Sequence, residues 1–277
     1  MKWSKEQFPK PQLHSLANRL FKGLFRPGEE VCKKSSVRSA DIPVIIPTFN
    51  NVTYARNMVQ QLHDRKINNI AIIDNGSTYG PMLEFLSSPG VGVKVFFGKK
   101  NLGPRHIFLD DLCLTLLPTY FCLTDPDLGL NSDMPSTFLQ ELVEMTDAFK
   151  VGKAGLALQI DDRASLRQEQ FLIAGRHYKI WEWEQQFWEC PIGKTTAGDQ
   201  IYRAKIDTTL AVYNKNYFKK GSALDAVRVA GRYTCRHLPW YLDTGLPPEE
   251  EAFYRSQATY SYYFRNNDTS LNEQKII

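Results

Sequence analysis

Ile45-Ile46-Pro47-Thr48-Phe49-Asn50, Ile72-Ile73-Asp74-Asn75-Gly76-Ser77-Thr78 and Phe121-Cys122-Leu123-Thr124-Asp125-Pro126-Asp127 share one pattern, a short apolar run that stops at a polar cluster. Such runs are long enough for a buried strand and too short for a helix. The spacing predicts strands at Ile42–Pro47, Asn69–Ile73, Val91–Phe97, Tyr120–Thr124 and Ala154–Ile160. Helical patterns at Val52–Lys66, Gly80–Ser88, Arg105–Leu117 and Pro135–Lys150 separate them, the last preceded by the cap candidates Asn131-Ser132-Asp133. Strands interleaved with helices imply parallel pairing and an α/β sheet covered on both faces. Ligands of such sheets bind beyond the carboxyl ends of the strands. The chemistry is therefore to be sought in the polar clusters.

Each cluster alone has a plain reading as turn chemistry. Four of them at successive strands, counting the loop Asn101-Leu102-Gly103-Pro104-Arg105 after the third, argue for a site. Asp125 and Asp127, two residues apart on a turn leaving a buried strand, can converge on a hard cation such as Mg²⁺ or Mn²⁺. Left unpaired, they would repel each other and lose solvation. A cation there can neutralise a departing diphosphate. Asp74 can accept hydrogen bonds from ribose hydroxyls or a base N–H, although the glycine fingerprint of dinucleotide-binding sheets is missing.

These segments, in this order and spacing over residues 42–130, resemble the nucleotide-binding half of the GT-A glycosyltransferases, with the inverting family 2 the nearest group. The resemblance implies a Rossmann-like, mixed but mainly parallel sheet flanked by helices. It places Pro47, Thr48 and Asn50 along the nucleotide and Asp74 against uracil or a similar base. Asn101, Gly103 and Arg105 fall where the family closes over ribose and diphosphate. Asp125 and Asp127 match its Asp-x-Asp motif, in which the second Asp usually binds Mn²⁺ or Mg²⁺ directly.

The second half is less regular. Trp181-Glu182-Trp183-Glu184-Gln185-Gln186-Phe187-Trp188 is dense in aromatic rings, which suit either a sugar-stacking acceptor site or a packed core. Ile206-Asp207-Thr208-Thr209 precedes an apolar strand, and Arg236-His237-Leu238-Pro239-Trp240-Tyr241-Leu242-Asp243 follows; both are similar to segments of bacterial surface-polysaccharide transferases. His237 reads as a third metal ligand beside Asp127, or as a hydrogen-bonded structural histidine. The family's Glu-Asp pair before a basic helix is missing. Asp199, Asp207, Asp243 and Glu249-Glu250-Glu251 are the candidates for the catalytic base, with Asp207 and Asp243 favoured by their neighbours. The glutamate run reads equally well as the first turn of a helix over 249–265.

The chain has 277 residues, 43% of them apolar and 23% charged, ordinary values that exclude a disordered or collagen-like chain. Residues 1–40 carry a net charge of +6 and the remainder −2. Within this basic arm, Leu13, Leu16, Leu20, Phe21 and Leu24 recur at helical spacing, with Arg19, Lys22 and Arg26 between them. Residues 11–26 suit a helix resting on an anionic membrane surface, or one packed on protein. The body has no basic stripe, so nucleic acid is not an expected partner. Five cysteines without a CxxC pair point to a reducing compartment. No run approaches the ~20 apolar residues of a membrane span, and no secretion signal is expected. The expectation is a cytoplasmic protein, peripheral on the inner face of the plasma membrane if the arm binds lipid.

Three parts are expected: a basic arm over 1–40, a nucleotide-sugar-binding half over 41–150 and an acceptor-binding half over 151–277. The expected activity is metal-dependent, inverting transfer from a UDP-linked sugar to a glycan or lipid-linked acceptor in polysaccharide biosynthesis. A nucleotidyltransferase would need a glycine-rich, basic phosphate loop where Pro47-Thr48-Phe49-Asn50 stands. A non-catalytic glycan-binding module would show no manganese-dependent affinity for nucleotide diphosphates. Gly193-Lys194-Thr195 is no P-loop, because the glycine required five residues earlier is Trp188.

Overall fold

The computed structural model describes residues 37–104, 117–173, 175–219 and 226–257. Strand β1 (Val44–Thr48) is buried throughout. Helix α1 (Val52–Asp64) follows, covering the sheet with Val52, Ala55, Met58, Val59 and Leu62. Next come β2 (Ile70–Asp74), α2 (Gly80–Ser87), β3 (Val93–Phe97) and β4 (Tyr120–Leu123). The expected strand and helix positions hold to within a few residues. The amphipathic segment 11–26, Cys32 and Cys113 lie outside the described residues, as does the expected helix over 105–117 apart from its last residue.

The chain continues through β5 (Leu128–Leu130), α3 (Phe138–Phe149), β6 (Lys153–Leu158), a hairpin of β7 (Phe171–Ile173) and β8 (Arg176–Tyr178), and the short α4 (Ile180–Glu184). It ends in β9 (Pro191–Lys194), β10 (Gln200–Arg203), β11 (Ala211–Asn214), the long β12 (Ala226–His237) and α5 (Pro248–Gln257). The main sheet has ten strands in the order β3-β2-β1-β4-β11-β6-β12-β10-β9, with β5 pairing β12. β3, β2, β1 and β4 pair in parallel, as do β6 and β12, so their carboxyl ends share one edge.

β11 runs antiparallel between β4 and β6, which makes the sheet mixed as the resemblance implied, whereas the alternation of strands and helices alone pointed to parallel pairing. Between β6 and β11 the chain carries two antiparallel strand pairs, β7–β8 and β9–β10, and the short α4, not the long crossover helix usual between parallel neighbours. Gly155 makes the β6–β11 approach possible: a Cβ there would sit 2.4 Å from the Leu210 carbonyl oxygen. Successive strand residues feed opposite faces. Val44 and Ile46 enter the large core under the three helices, whereas Ile45 joins Phe121 and Tyr213 on the other face.

One irregularity of the sheet builds the site. The register of β12 on β6 slips between Val229 and Thr234. Gly231, at φ +63°, occupies that bulge, where a Cβ would come 2.5 Å from Asp199 Oδ1. Asp199 clamps it, accepting the Arg232 backbone N–H at 2.9 Å, the Arg232 guanidinium at 2.7 Å and the Thr195 hydroxyl at 2.9 Å. Beyond the bulge β12 pairs with β5, setting His237 opposite Leu128. Because β5 starts directly after Asp127, this register delivers His237 to the Asp-x-Asp turn. Leu238 N–H donates to the Asp127 carbonyl at 2.8 Å and secures it.

Asp199 is thus a structural clamp. Burial works against its charge, but the hydrogen bonds from Arg232 and Thr195 win and hold its carboxyl below the usual carboxylate range. A depressed folded value stabilises the fold fully above the unfolded value of about 3.9, and that contribution fades as pH falls through the folded value. Asp199→Ala should cost about 1.5–3 kcal/mol, the range for hydrogen bonds to a charged group. Denaturant melts at pH 7 and pH 3 check this: the gap between wild type and variant should shrink at the lower pH.

Candidate metal and nucleotide site

Asp125 and Asp127 leave β4 on the turn into β5, and His237 meets them from the end of β12. Ligand atoms of the three side chains all lie within 4.8 Å of one another. His237 Nε2 stands 3.4 Å from Asp127 Oδ1. Asp127 Oδ1 and His237 Nδ1 are buried and make no hydrogen bond among the described residues. Buried polar atoms are normally satisfied. Two carboxylates and an imidazole with unsatisfied atoms form a donor set suited to a divalent cation of the Mn²⁺ or Mg²⁺ kind, so the residues fit the ion expected from sequence.

Electrostatics agrees. Burial, then the charge of Asp127, pushes the Asp125 carboxyl above the carboxylate range, against the opposing Thr208 hydrogen bond and His237. Burial would lower His237, yet the neighbouring Asp127, Asp125 and Glu184 raise it overall. The site concentrates negative charge that a cation would neutralise. Thr208 supports Asp125 twice: its hydroxyl donates to Asp125 Oδ2 at 2.7 Å, and its carbonyl accepts the Asp125 N–H at 3.1 Å.

The other strand-end clusters lie on the same edge and are stitched together. Asn50, at φ +54°, adopts the left-handed conformation that asparagine tolerates. Its Oδ1 accepts the N–H groups of Thr78 and Tyr79 at 2.8 and 2.9 Å, and its own N–H donates to Ser77 Oγ at 2.9 Å. Asp74 accepts the N–H groups of Gly76 and Ser77 and the Ser77 hydroxyl, so it shapes its own loop. Asn75 N–H donates to the Thr48 carbonyl at 2.9 Å, and Asn101 Oδ1 accepts Gly103 N–H at 2.9 Å. Thr48 Oγ1 and Asn50 Nδ2 are buried without a hydrogen bond among the described residues. Pro47 is buried at the end of β1. Arg105 lies outside the described residues.

The base candidates separate. Asp207 is exposed, and its charge acts on Asp125. The Asp243 side chain is 64% exposed and faces the Arg236 guanidinium at 3.7 Å, within a cluster completed by Asp162 and Tyr241. Glu250 is neither a solvated helix residue nor open to a substrate. It is buried, and its carboxylate accepts the Thr53 N–H at 2.9 Å and the Thr53 hydroxyl at 2.6 Å, capping α1 from another helix. Tyr79 packs on Phe253, so α5 straps two strand-end loops together. A cap reaching across 197 residues leaves no local sequence signal.

The tryptophan segment is not one continuous α-helix. α4 gives way to a 3₁₀ turn over Gln185–Trp188. Trp183 packs edge-on to Tyr178 and Phe187, and Trp188 lies against Tyr202. Trp181 is half-buried between the Lys179 and Arg163 cations, 5.0 and 6.0 Å from its ring centre. Cys122, like Cys190 and Cys235, is a buried free thiol. Among the described residues no helix is long and apolar enough to cross a membrane.

No protein-family model and no curated protein matches the sequence. Solved structures do. The mannosyltransferase PcManGT from Pyrobaculum calidifontis, in complex with GDP-Man and Mn²⁺, is 12% identical with a TM-score of 0.50 over 90% of this chain and 68% of that one. S. aureus TarS 1-349 is 14% identical, with a TM-score of 0.37 over 65% of this chain and 50% of that one. GalNAc-T7 with UDP, GalNAc and Mn²⁺ is 11% identical, with a TM-score of 0.42 over 88% and 56%. At such identities likeness speaks for architecture alone, and it rests on the first of these. The chain has a GT-A-type fold, a mixed, mainly parallel central sheet flanked by helices.

Proposed function

We propose that the chain is a metal-dependent glycosyltransferase that moves a sugar from a nucleotide-sugar to a hydroxyl of a glycan or lipid-linked acceptor, with inversion. The observation that carries this reading is the meeting of Asp125, Asp127 and His237, with unsatisfied buried atoms, on the edge where the strand-end loops converge. Asp125, Asp127 and His237 would hold a divalent cation, which would neutralise the charge developing on the leaving diphosphate. Thr48, Asn50, Asp74, Asn101, Gly103 and Arg105 bind the nucleotide. The unsatisfied Thr48 hydroxyl and Asn50 amide are the groups with hydrogen bonds left to offer it.

Asp207 is the base. Its carboxylate takes the proton of the acceptor hydroxyl as the oxygen attacks the anomeric carbon. The new C–O bond forms opposite the breaking one, and the electron pair leaves on the nucleoside diphosphate. Asp207 is chosen over Asp243 because the next residue, Thr208, is bonded to Asp125 through both its hydroxyl and its carbonyl, whereas Asp243 faces Arg236. A polysaccharide pathway and a membrane contact through residues 11–26 belong to the same proposal, as does a cytoplasmic location.

Thermal melts with UDP-, GDP-, CMP- and dTDP-sugars, each with and without Mn²⁺, test the reading. One nucleotide class should raise the melting temperature only when Mn²⁺ is present, through binding to the native state. A chain stabilised by none of them would refute the donor site and favour a glycan-binding module.

A further inference from the structure

Arg228 and Glu184 form an ion pair inside the molecule, their side chains 4% and 3% exposed. Burying two charges is expensive, and well-packed apolar residues often serve stability equally well. Such a pair calls for a reason, and the connections of Arg228 supply one. While its Nη1 bonds Glu184, its Nε donates to the Lys205 carbonyl at 2.7 Å, and its guanidinium lies 4.3 Å over the Phe187 ring. Lys205 leads directly into Ile206, Asp207 and Thr208. Thr208 holds Asp125 through its hydroxyl and its carbonyl. Arg228 also lies on β12, the strand whose end presents His237.

We propose that Arg228, charge-balanced by Glu184 in the middle of the aromatic segment, is a positioning residue that fixes the 205–208 segment and thereby the places of Asp207 and of the Asp125 carboxylate. This rests on the reading of Asp125 as a cation ligand and Asp207 as the base. The guanidinium is suited to the task because its planar fork serves the carboxylate and the carbonyl together. A lysine ammonium is a point charge on a flexible stem and does not span both. The arrangement ties the Trp181–Trp188 segment to the metal cluster through one side chain, so packing of the aromatic segment and metal geometry are set jointly.

The test uses the full chain carrying Glu184→Met with Arg228→Met, a pair that removes both charges and keeps apolar volume around Phe187. Arg228→Lys, which keeps the charge, is the companion. The double variant should melt close to wild type, yet the Asp125 amide, bonded to the Thr208 carbonyl, should exchange its hydrogen about tenfold faster or more. Mn²⁺ affinity, measured without any sugar donor, should fall about 10- to 100-fold, the range seen when groups supporting metal ligands are removed. With the donor identified, kcat should fall by a similar factor while donor KM stays within about twofold, and Arg228→Lys should not restore it. Wild-type exchange at Asp125 in a folded double variant, or full rescue by lysine, overturns the proposal. A double variant that does not fold moves the decision to the exchange and Mn²⁺ affinity of Arg228→Lys, where wild-type values refute it. A wild-type chain that binds no Mn²⁺ defeats the glycosyltransferase reading instead, and amide exchange then decides the positioning role alone.

Discussion

Asp127→Ala is expected to abolish sugar transfer, by about 1,000-fold or more, because several kcal/mol of stabilisation at the leaving diphosphate depend on the cation it holds. The same change should leave the metal-free protein as stable as wild type, or slightly more so. Asp127 adds to the charge crowding that raises Asp125, while its pairing with His237 Nε2 is long at 3.4 Å, so the repulsion relieved offsets the attraction lost. That combination separates a ligand from a structural ion pair. If Asp127 served only to pair with His237, the variant would melt well below wild type and would still turn over. Melting curves in chelator-treated buffer, alongside transfer assays with added Mn²⁺, distinguish the two. Normal turnover by a metal-free Asp127→Ala protein would end the assignment.

Asp207→Asn should lower kcat by about 100- to 10,000-fold, the usual contribution of a positioned base, with donor KM nearly unchanged. Asparagine keeps the shape and polarity of the side chain but cannot take a proton. Because Asp207 is exposed and asparagine keeps its shape, stability should change by no more than about 0.5 kcal/mol. Mn²⁺ affinity should change little, since Asp207 is not among the three converging ligands. Asp243→Asn is the control: its carboxylate faces Arg236, so its loss should shift kcat by no more than about twofold if Asp207 is the base. A reversal of the two outcomes would reassign the base to Asp243.

The sequence alone determined the frame. Uninterrupted apolar runs ending in polar clusters encode buried parallel strands, because a strand covered on both faces has no polar alternation to display. That frame places Asp74, Asp125, Asp127 and the Pro47–Asn50 loop on one edge, since parallel strands must end together. Short-range chemistry was legible for the same reason: the Asp125–Asp127 spacing and the strand-end turns are properties of a few adjacent residues. Only the tertiary structure decided the rest. His237 reaches Asp127 because a bulge at Gly231, held by Asp199, redirects β12 onto β5. The antiparallel entry of β11, the Glu250 cap on α1 and the Arg228–Glu184 pair likewise join residues far apart in the chain. Such pairings arise from which surfaces meet once the sheet has closed, and a carboxylate carries no mark in sequence of the distant donor it will satisfy.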